Sequence, residues 1–291
     1  MQSVPATGRR CAVKAPDFAY ERPRDLTEAL KLLSDAGGDA QALAGGQSLL
    51  PMMNFRLAAP GMLVDLADVE ELRGLEAEGD RVRIGAMTRY RELADWPDLC
   101  QMLPLVAMAL PHIAHDAIRN RGTIGGSLAL ADPAAELPAV MTVLGAEIEL
   151  AGPRGHRTVA AEDFFVGFYE TDCGEDELIT AVTVPIAGDL SFGFYELAQR
   201  HGDYAMAGVA LSARAAAPIS GLRAAFFGIA ASPVRLPQME AALEGQSPSA
   251  APAAVAAALA DLDILEDTKA SAAMRRHLAG TVLKRALEGL A

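Results

Sequence analysis

Two glycine-rich stretches constrain this chain more than any other feature. The first is Leu43-Ala44-Gly45-Gly46-Gln47-Ser48-Leu49-Leu50, and the second is Arg121-Gly122-Thr123-Ile124-Gly125-Gly126-Ser127. Each sets two adjacent glycines beside small hydroxyl residues. Glycine lacks a Cβ, so its backbone can turn sharply and bring N–H groups close to an anion. Two such loops could hold the two halves of a pyrophosphate, with Ser48, Thr123 and Ser127 as hydroxyl donors. Taken singly, either Gly-Gly pair is equally readable as an ordinary turn. Neither loop fits G-x-G-x-x-G or G-x-x-x-x-G-K-[ST], so the common dinucleotide and nucleoside-triphosphate motifs are not supported.

Composition narrows the possibilities further. At 291 residues, the chain is long enough for two or three subdomains. A net charge of −13 leaves no basic excess to neutralise phosphates, which argues against a nucleic-acid partner. No apolar run reaches the length of a membrane span, and Met1 to Arg10 lacks the apolar core of a signal peptide. The expectation is a cytoplasmic protein. Cys11, Cys100 and Cys173 lie far apart, form no CxxC pair and cannot supply four thiolates to an iron–sulfur cluster.

Patterning organises the rest. Residues 1–17 read as an arm. Asp25 to Ala36 reads as a helix with an Asp25/Glu28 capping box and a Gly37-Gly38 stop. Gln41 to Ala44 reads as a strand delivering the first glycine loop, with Pro51 interrupting any helix after it. Met62–Leu66 and Arg81–Ile84 read as strands, and Thr88 as the cap of a helix running to Ala94. Pro104–Ala114 reads as a buried helix, and Pro133–Leu144 as a helix with Pro133 in its first turn. Ala146–Leu150 and Arg157–Val159 form a hairpin about Gly152-Pro153-Arg154-Gly155, and Glu177–Val184 is a further strand. Beyond a boundary near Gly188 come three strands, Phe192–Gln199, Tyr204–Ala215 and Leu222–Ala230. Helices follow at Met239–Leu243, Pro252–Ala260 and Ala272–Leu290. Strands first and helices after predict a separate α+β unit.

Taken with their flanks, the two glycine motifs become specific. Ala44 to Leu57 (AGGQSLLPMMNFRL) and Ile118 to Ser127 (IRNRGTIGGS), the latter running on to Ala131-Asp132-Pro133-Ala134-Ala135-Glu136-Leu137-Pro138, resemble the FAD-binding medium subunit of molybdenum hydroxylases. That family includes the medium subunit of aerobic carbon monoxide dehydrogenase and the flavin domain of xanthine dehydrogenase. The resemblance covers the chain from about Phe18 to the C-terminus. It implies an α+β chain: a two-lobed FAD-binding domain of the vanillyl-alcohol-oxidase (PCMH) type over 18–188, with lobes of about 18–67 and 68–188. A smaller C-terminal α+β domain over 189–291, a three-stranded antiparallel sheet with helices, would follow.

The resemblance further implies which residues meet the cofactor. Leu43 to Leu50 and Thr123 to Ser127 (Ile124, Gly125 and Gly126 included) would carry the pyrophosphate. Glu136 would accept from ribose or ribityl hydroxyls, where the residue alone reads as a favourable acid in a helix's first turn. Asp132 has the same two readings. Ile113 and Ile179 match positions packed against the flavin. Glu196 falls where some members place a lysine near the ring, a departure from the pattern. Tyr204 matches an aromatic that covers the isoalloxazine face; its plain reading is a strand tyrosine. His112 and His115 offer two ligands and no third, so no metal site is expected. No Ser–His–Asp arrangement or carboxylate pair is legible.

In such a complex the FAD is non-covalent. A large molybdopterin subunit oxidises the substrate, and a small subunit with two [2Fe–2S] clusters passes electrons to this FAD. The flavin delivers them to NAD, a quinone, a cytochrome or oxygen, and the assembly is a dimer of heterotrimers. The rivals are a self-contained flavin oxidase of the same fold and a scaffold that has lost its flavin. The loop argument also predicts that Gly46→Val blocks the pyrophosphate.

Overall fold

The computed structural model describes residues 15–186 and 188–290; most of the N-terminal arm lies outside them. The first sheet is small and parallel. Its order is Ala19–Glu21, Met62–Asp65, Ala40–Leu43, so the chain leaves the sheet twice at the same end. The Leu26–Ala36 helix packs on it through Ala29 and Leu33. Its start obeys the capping pattern: Glu28 N–H donates to Asp25 Oδ1 at 2.8 Å, and the Glu28 carboxylate accepts from Arg24 N–H at 2.9 Å. Gly37, at φ +57°, ends it.

A short helix, Leu49–Asn54, does follow the first glycine loop, contrary to the sequence expectation. Pro51 sits in its first turn, where the missing N–H costs nothing because no intrahelical acceptor precedes it.

The second sheet has five antiparallel strands in the order Leu75–Glu78, Arg81–Gly85, Leu178–Pro185, Glu147–Gly152, Gly155–Ala160. The expected hairpin closes with Gly152 opposite Gly155. Helices between strands cover the sheet. Three begin or end differently from the sequence reading. The first spans Tyr90–Ala94, because Thr88 donates its hydroxyl to Gly74 O and Glu92 closes a box with Arg89 N–H instead. The buried helix stops at Ala109 and tightens into a 3-10 turn at Leu110–His112. The Pro133 helix begins only at Glu136, since Asp132 turns the chain by accepting Ala134 N–H.

The C-terminal sheet is antiparallel: Ser191–Leu197, Ala207–Ala213, Arg223–Phe227 and a fourth, two-residue strand, Val234–Arg235. The expected three strands are thus four. Its central strand is buried at every residue because both faces are covered. Val209, Leu211, Ala224 and Phe226 face the C-terminal helices, while Ala210, Ala225 and Phe227 join the core of the preceding unit. The period of two thus feeds two cores from one sheet. Gly208 is required there, since a β-carbon on it would overlap the Phe227 ring. The helix filling the second core, Glu136–Leu144, is buried from Glu136 to Val143, so one end of a core helix faces the cavity described next.

Candidate cofactor site

The two glycine motifs, distant in sequence, meet face to face. A β-carbon at Gly45 would overlap the Arg121 carbonyl oxygen and stand 2.8 Å from its carbon and 2.9 Å from Gly122 Cα. Only glycine permits that approach. Gly46 adopts φ +71°, which lets the loop turn, and its missing β-carbon would point at Leu50 Cδ1, 3.0 Å away, and Leu43 Cδ1. A side chain at 46 therefore runs under the loop, not into the space beside it. The expectation that Gly46→Val blocks a ligand directly is corrected by this geometry.

The second motif is not a free loop. It opens a helix, Ile124–Leu130, whose cap is Thr123: Gly126 N–H donates to Thr123 Oγ1 at 3.1 Å. Ile124 N–H bonds Thr88 O, Gly125 N–H bonds Ala86 O, and Ser127 N–H bonds Thr123 O. Gly125 is forced by contact, its absent β-carbon lying 2.6 Å from Ala86 Cβ. These amides are spent within the protein. In the first loop, by contrast, the N–H groups of Gly46, Gln47 and Ser48 find no acceptor among the described residues. The amide donors come from the first motif; the second supplies close-packed backbone and the Ser127 hydroxyl, which meets the buried Tyr90 hydroxyl.

Between these walls lies a cavity of about 600 Å³, within the usual range for small-molecule sites. Ala44 to Leu49, Ile113, Thr123, Gly125, Gly126, Ser127, Glu136, Ile179 and Tyr204 all line it. Four residues singled out with them do not. Leu43 and Leu50 pack beneath Gly46, Ile124 is buried as the anchor of its helix, and Glu196 lies behind the wall, bonded to His112. Other lining residues carried no sequence signal, among them Tyr90, Met87, His115 and Glu177.

The C-terminal unit closes one side with Gly202, Asp203 and Tyr204. Gly228 N–H donates to Pro133 O at 2.7 Å, tying that unit to the wall. Buried Arg275 donates to Met206 O and Gly228 O and pairs with Asp267 at 2.7 Å, which fixes the chain just beyond Tyr204. Tyr204 itself is 59% exposed at the mouth, with Lys269 Nζ 5.2 Å from its ring centre.

Two carboxyls on the wall have opposite surroundings. Glu177 accepts from Arg157 Nε at 2.9 Å, Arg157 Nη2 at 2.6 Å and Gly174 N–H at 2.9 Å. The guanidinium holds its carboxyl at about 2 against burial's upward push. Glu136 has no such cation. Burial, then the Glu196 carboxylate, then Asp132 push it up to about 8, against a downward pull from its own backbone N–H. Asp132 is itself bonded to the Tyr169 hydroxyl at 3.0 Å.

A deep cavity walled by glycine backbone, with unspent amides on one side and apolar residues on the other, defines a cofactor-holding unit. Comparison with known proteins says which. Residues 16–187 match the FAD binding domain in molybdopterin dehydrogenase, and residues 193–290 match the CO dehydrogenase flavoprotein C-terminal domain. The chain belongs to the FAD-binding medium subunits of molybdenum hydroxylases and is an oxidoreductase subunit. It is 40% identical to the nicotine 6-hydroxylase medium subunit of Paenarthrobacter nicotinovorans, covering 94% of this chain and 98% of that one. It is 39% identical to the carbon monoxide dehydrogenase medium chain of Hydrogenophaga pseudoflava, over 94% and 96% of the two chains. Among solved structures, the carbon monoxide dehydrogenase of H. pseudoflava lacking the Mo-pyranopterin moiety superposes with a TM-score of 0.90 at 40% identity, over 95% and 98%. Quinoline 2-oxidoreductase from Pseudomonas putida 86 gives 0.89 at 35% identity, over the same shares. Among the described residues, no helix is long and apolar enough to cross a membrane.

Proposed function

We propose that this chain holds FAD non-covalently in the cavity and serves as the electron outlet of a three-subunit hydroxylase. The carrying observation is the juxtaposition of the two glycine motifs on one wall, with the Gly46, Gln47 and Ser48 amides unspent. Those amides and the Ser48 and Ser127 hydroxyls bind the pyrophosphate. Thr123 holds the second motif in shape. Ile113, Ile179 and Tyr204 pack on the ring, and Glu136 bonds a polar group of the cofactor.

Bound FAD supplies the exchange of single electrons and electron pairs. The protein's part is to orient the cofactor and keep water from its buried face. Electrons enter from a small [2Fe–2S] subunit and leave to an external acceptor, and a large molybdopterin subunit oxidises the substrate. The parallel and antiparallel sheets support two lobes, 18–67 and 68–188, of a PCMH-type domain, with 189–291 as the third unit. A cytoplasmic dimer of heterotrimers is the assembly this reading carries.

The test is to purify the chain, record its visible spectrum, and identify flavin released by heat. One FAD released per chain supports the reading. A folded protein that stays colourless when FAD is added, alone and with both partner subunits, overturns it.

A further inference from the structure

Behind the cavity wall lies a set of ionisable side chains that cofactor binding does not use. Glu136 faces the cavity from the first turn of its buried helix. Glu196, on the Ser191–Leu197 strand, is buried, its side chain only 4% exposed. Its Oε1 lies 3.1 Å from His112 Nδ1, and its Oε2 is buried without a partner among the described residues. His112 is a third exposed and packs against the rings of Phe194 and His201. The three residues therefore run from the cavity, through a buried carboxyl with an unused oxygen, to a partly solvated imidazole.

Two buried carboxyls that feel each other cannot both stay ionised at little cost, so the pair retains a proton that exposed carboxyls would lose. Glu196 is the leading charge acting on Glu136. Asp132, Tyr90 and Tyr204 also face Glu136, and His112 and His201 lie on the far side of Glu196. With Glu196 ionised, His112 donates from Nδ1, which leaves Nε2 for exchange with water.

We propose that Glu136, Glu196 and His112 form a proton-delivery chain: Glu136 gives its proton to the occupant of the cavity as that occupant accepts an electron, and is reloaded from solvent through His112 and Glu196. The inference rests on the FAD reading above. One electron from an iron–sulfur partner adds one negative charge to the occupant. The Glu136 O–H bond breaks and the proton bonds to a basic nitrogen of the occupant. The resulting carboxylate takes a proton from Glu196, which takes one from His112, which takes one from water. The net uptake is one electron and one solvent proton.

The test is infrared spectroscopy of the flavin-free and flavin-loaded protein, following the carbonyl stretch of a protonated carboxylic acid. In the folded, flavin-free protein the band is expected near neutral pH, to vanish at alkaline pH, and to be absent in Glu136→Gln. In Glu196→Gln it should titrate at lower pH, because a neighbouring negative charge is gone. After flash reduction of bound flavin, the band should bleach and then recover. In His112→Gln that recovery should slow roughly a hundredfold, the low end of what a positioned acid–base group contributes. Thermal melts confirm that each variant is folded. A flavin-free wild type without the band, a band that survives in Glu136→Gln, or recovery at the wild-type rate in both Glu196→Gln and His112→Gln overturns the chain. Failure to bind FAD at all would overturn the reading beneath it, and is scored separately because the band needs no flavin.

Discussion

Gly45 and Arg121, 76 positions apart in the numbering, touch backbone to backbone at the cavity wall. Gly45→Ala should therefore wedge the two motifs apart. The expected cost is ~1–3 kcal/mol of overpacking, with loss of FAD retention. Gly46→Ala differs: it strains a left-handed residue by ~1–2 kcal/mol while pointing its methyl under the loop. Thermal melts and flavin-to-protein ratios separate the two. Full flavin retention in a folded Gly45→Ala protein would detach the motif contact from binding.

Arg157 governs the acid limit of stability on the opposite wall. The Glu177 carboxyl is depressed from 4.5 to about 2 in the folded chain. Its contribution is thus present above about pH 4.5 and drains away as pH falls toward 2. Arg157→Met strands a buried carboxylate and should cost roughly 3 kcal/mol at neutral pH. The acid-side slope between those values should shrink in urea titrations. An unchanged slope would mean that other carboxylates dominate acid unfolding.

Glu136 acts with the opposite sign. Its folded value lies near 8, above the ordinary 4.5, so the folded chain binds the extra proton between those limits. Its contribution is complete below about pH 4.5 and is lost as pH rises through about 8. Glu136→Gln has no such loss. Its stability relative to the parent should climb across that window by at most ~1.4 kcal/mol per pH unit, measured by urea melts of the flavin-free protein. Parallel pH profiles for the two would refute the raised value.

Tyr204 is exposed at the cavity mouth and touches Lys269. Tyr204→Ala should change stability by less than about 1 kcal/mol. If the ring covers the flavin, the same variant should raise flavin fluorescence and shift its visible bands. Identical spectra would leave Tyr204 as an ordinary surface aromatic.

How much of this was legible depended on distance along the chain. The Asp25–Glu28 cap and the Gly152–Gly155 hairpin involve neighbours, and both read directly from residue order. The Ile124–Leu130 helix did not, because Gly125 and Gly126 are poor helix formers; contacts to Ala86 and Thr88 from another segment hold it. The start of the next helix shifted from Pro133 to Glu136 because Asp132 captures a local amide. Family motifs pointed to the wall residues, yet Glu196 turned away from the cavity toward His112, 84 residues earlier, a pairing no spacing announces. Tyr90 entered the wall with no local mark at all.

The wall between the glycine motifs draws on residues 41–52, 86–136 and 173–179, and only residues 202–204 complete it. The Arg275 clamp on Met206 and Gly228 comes later still. A chain emerging from the ribosome thus has no binding chamber until nearly all of it has been made, and its cofactor must be loaded after synthesis, as a late step of maturation.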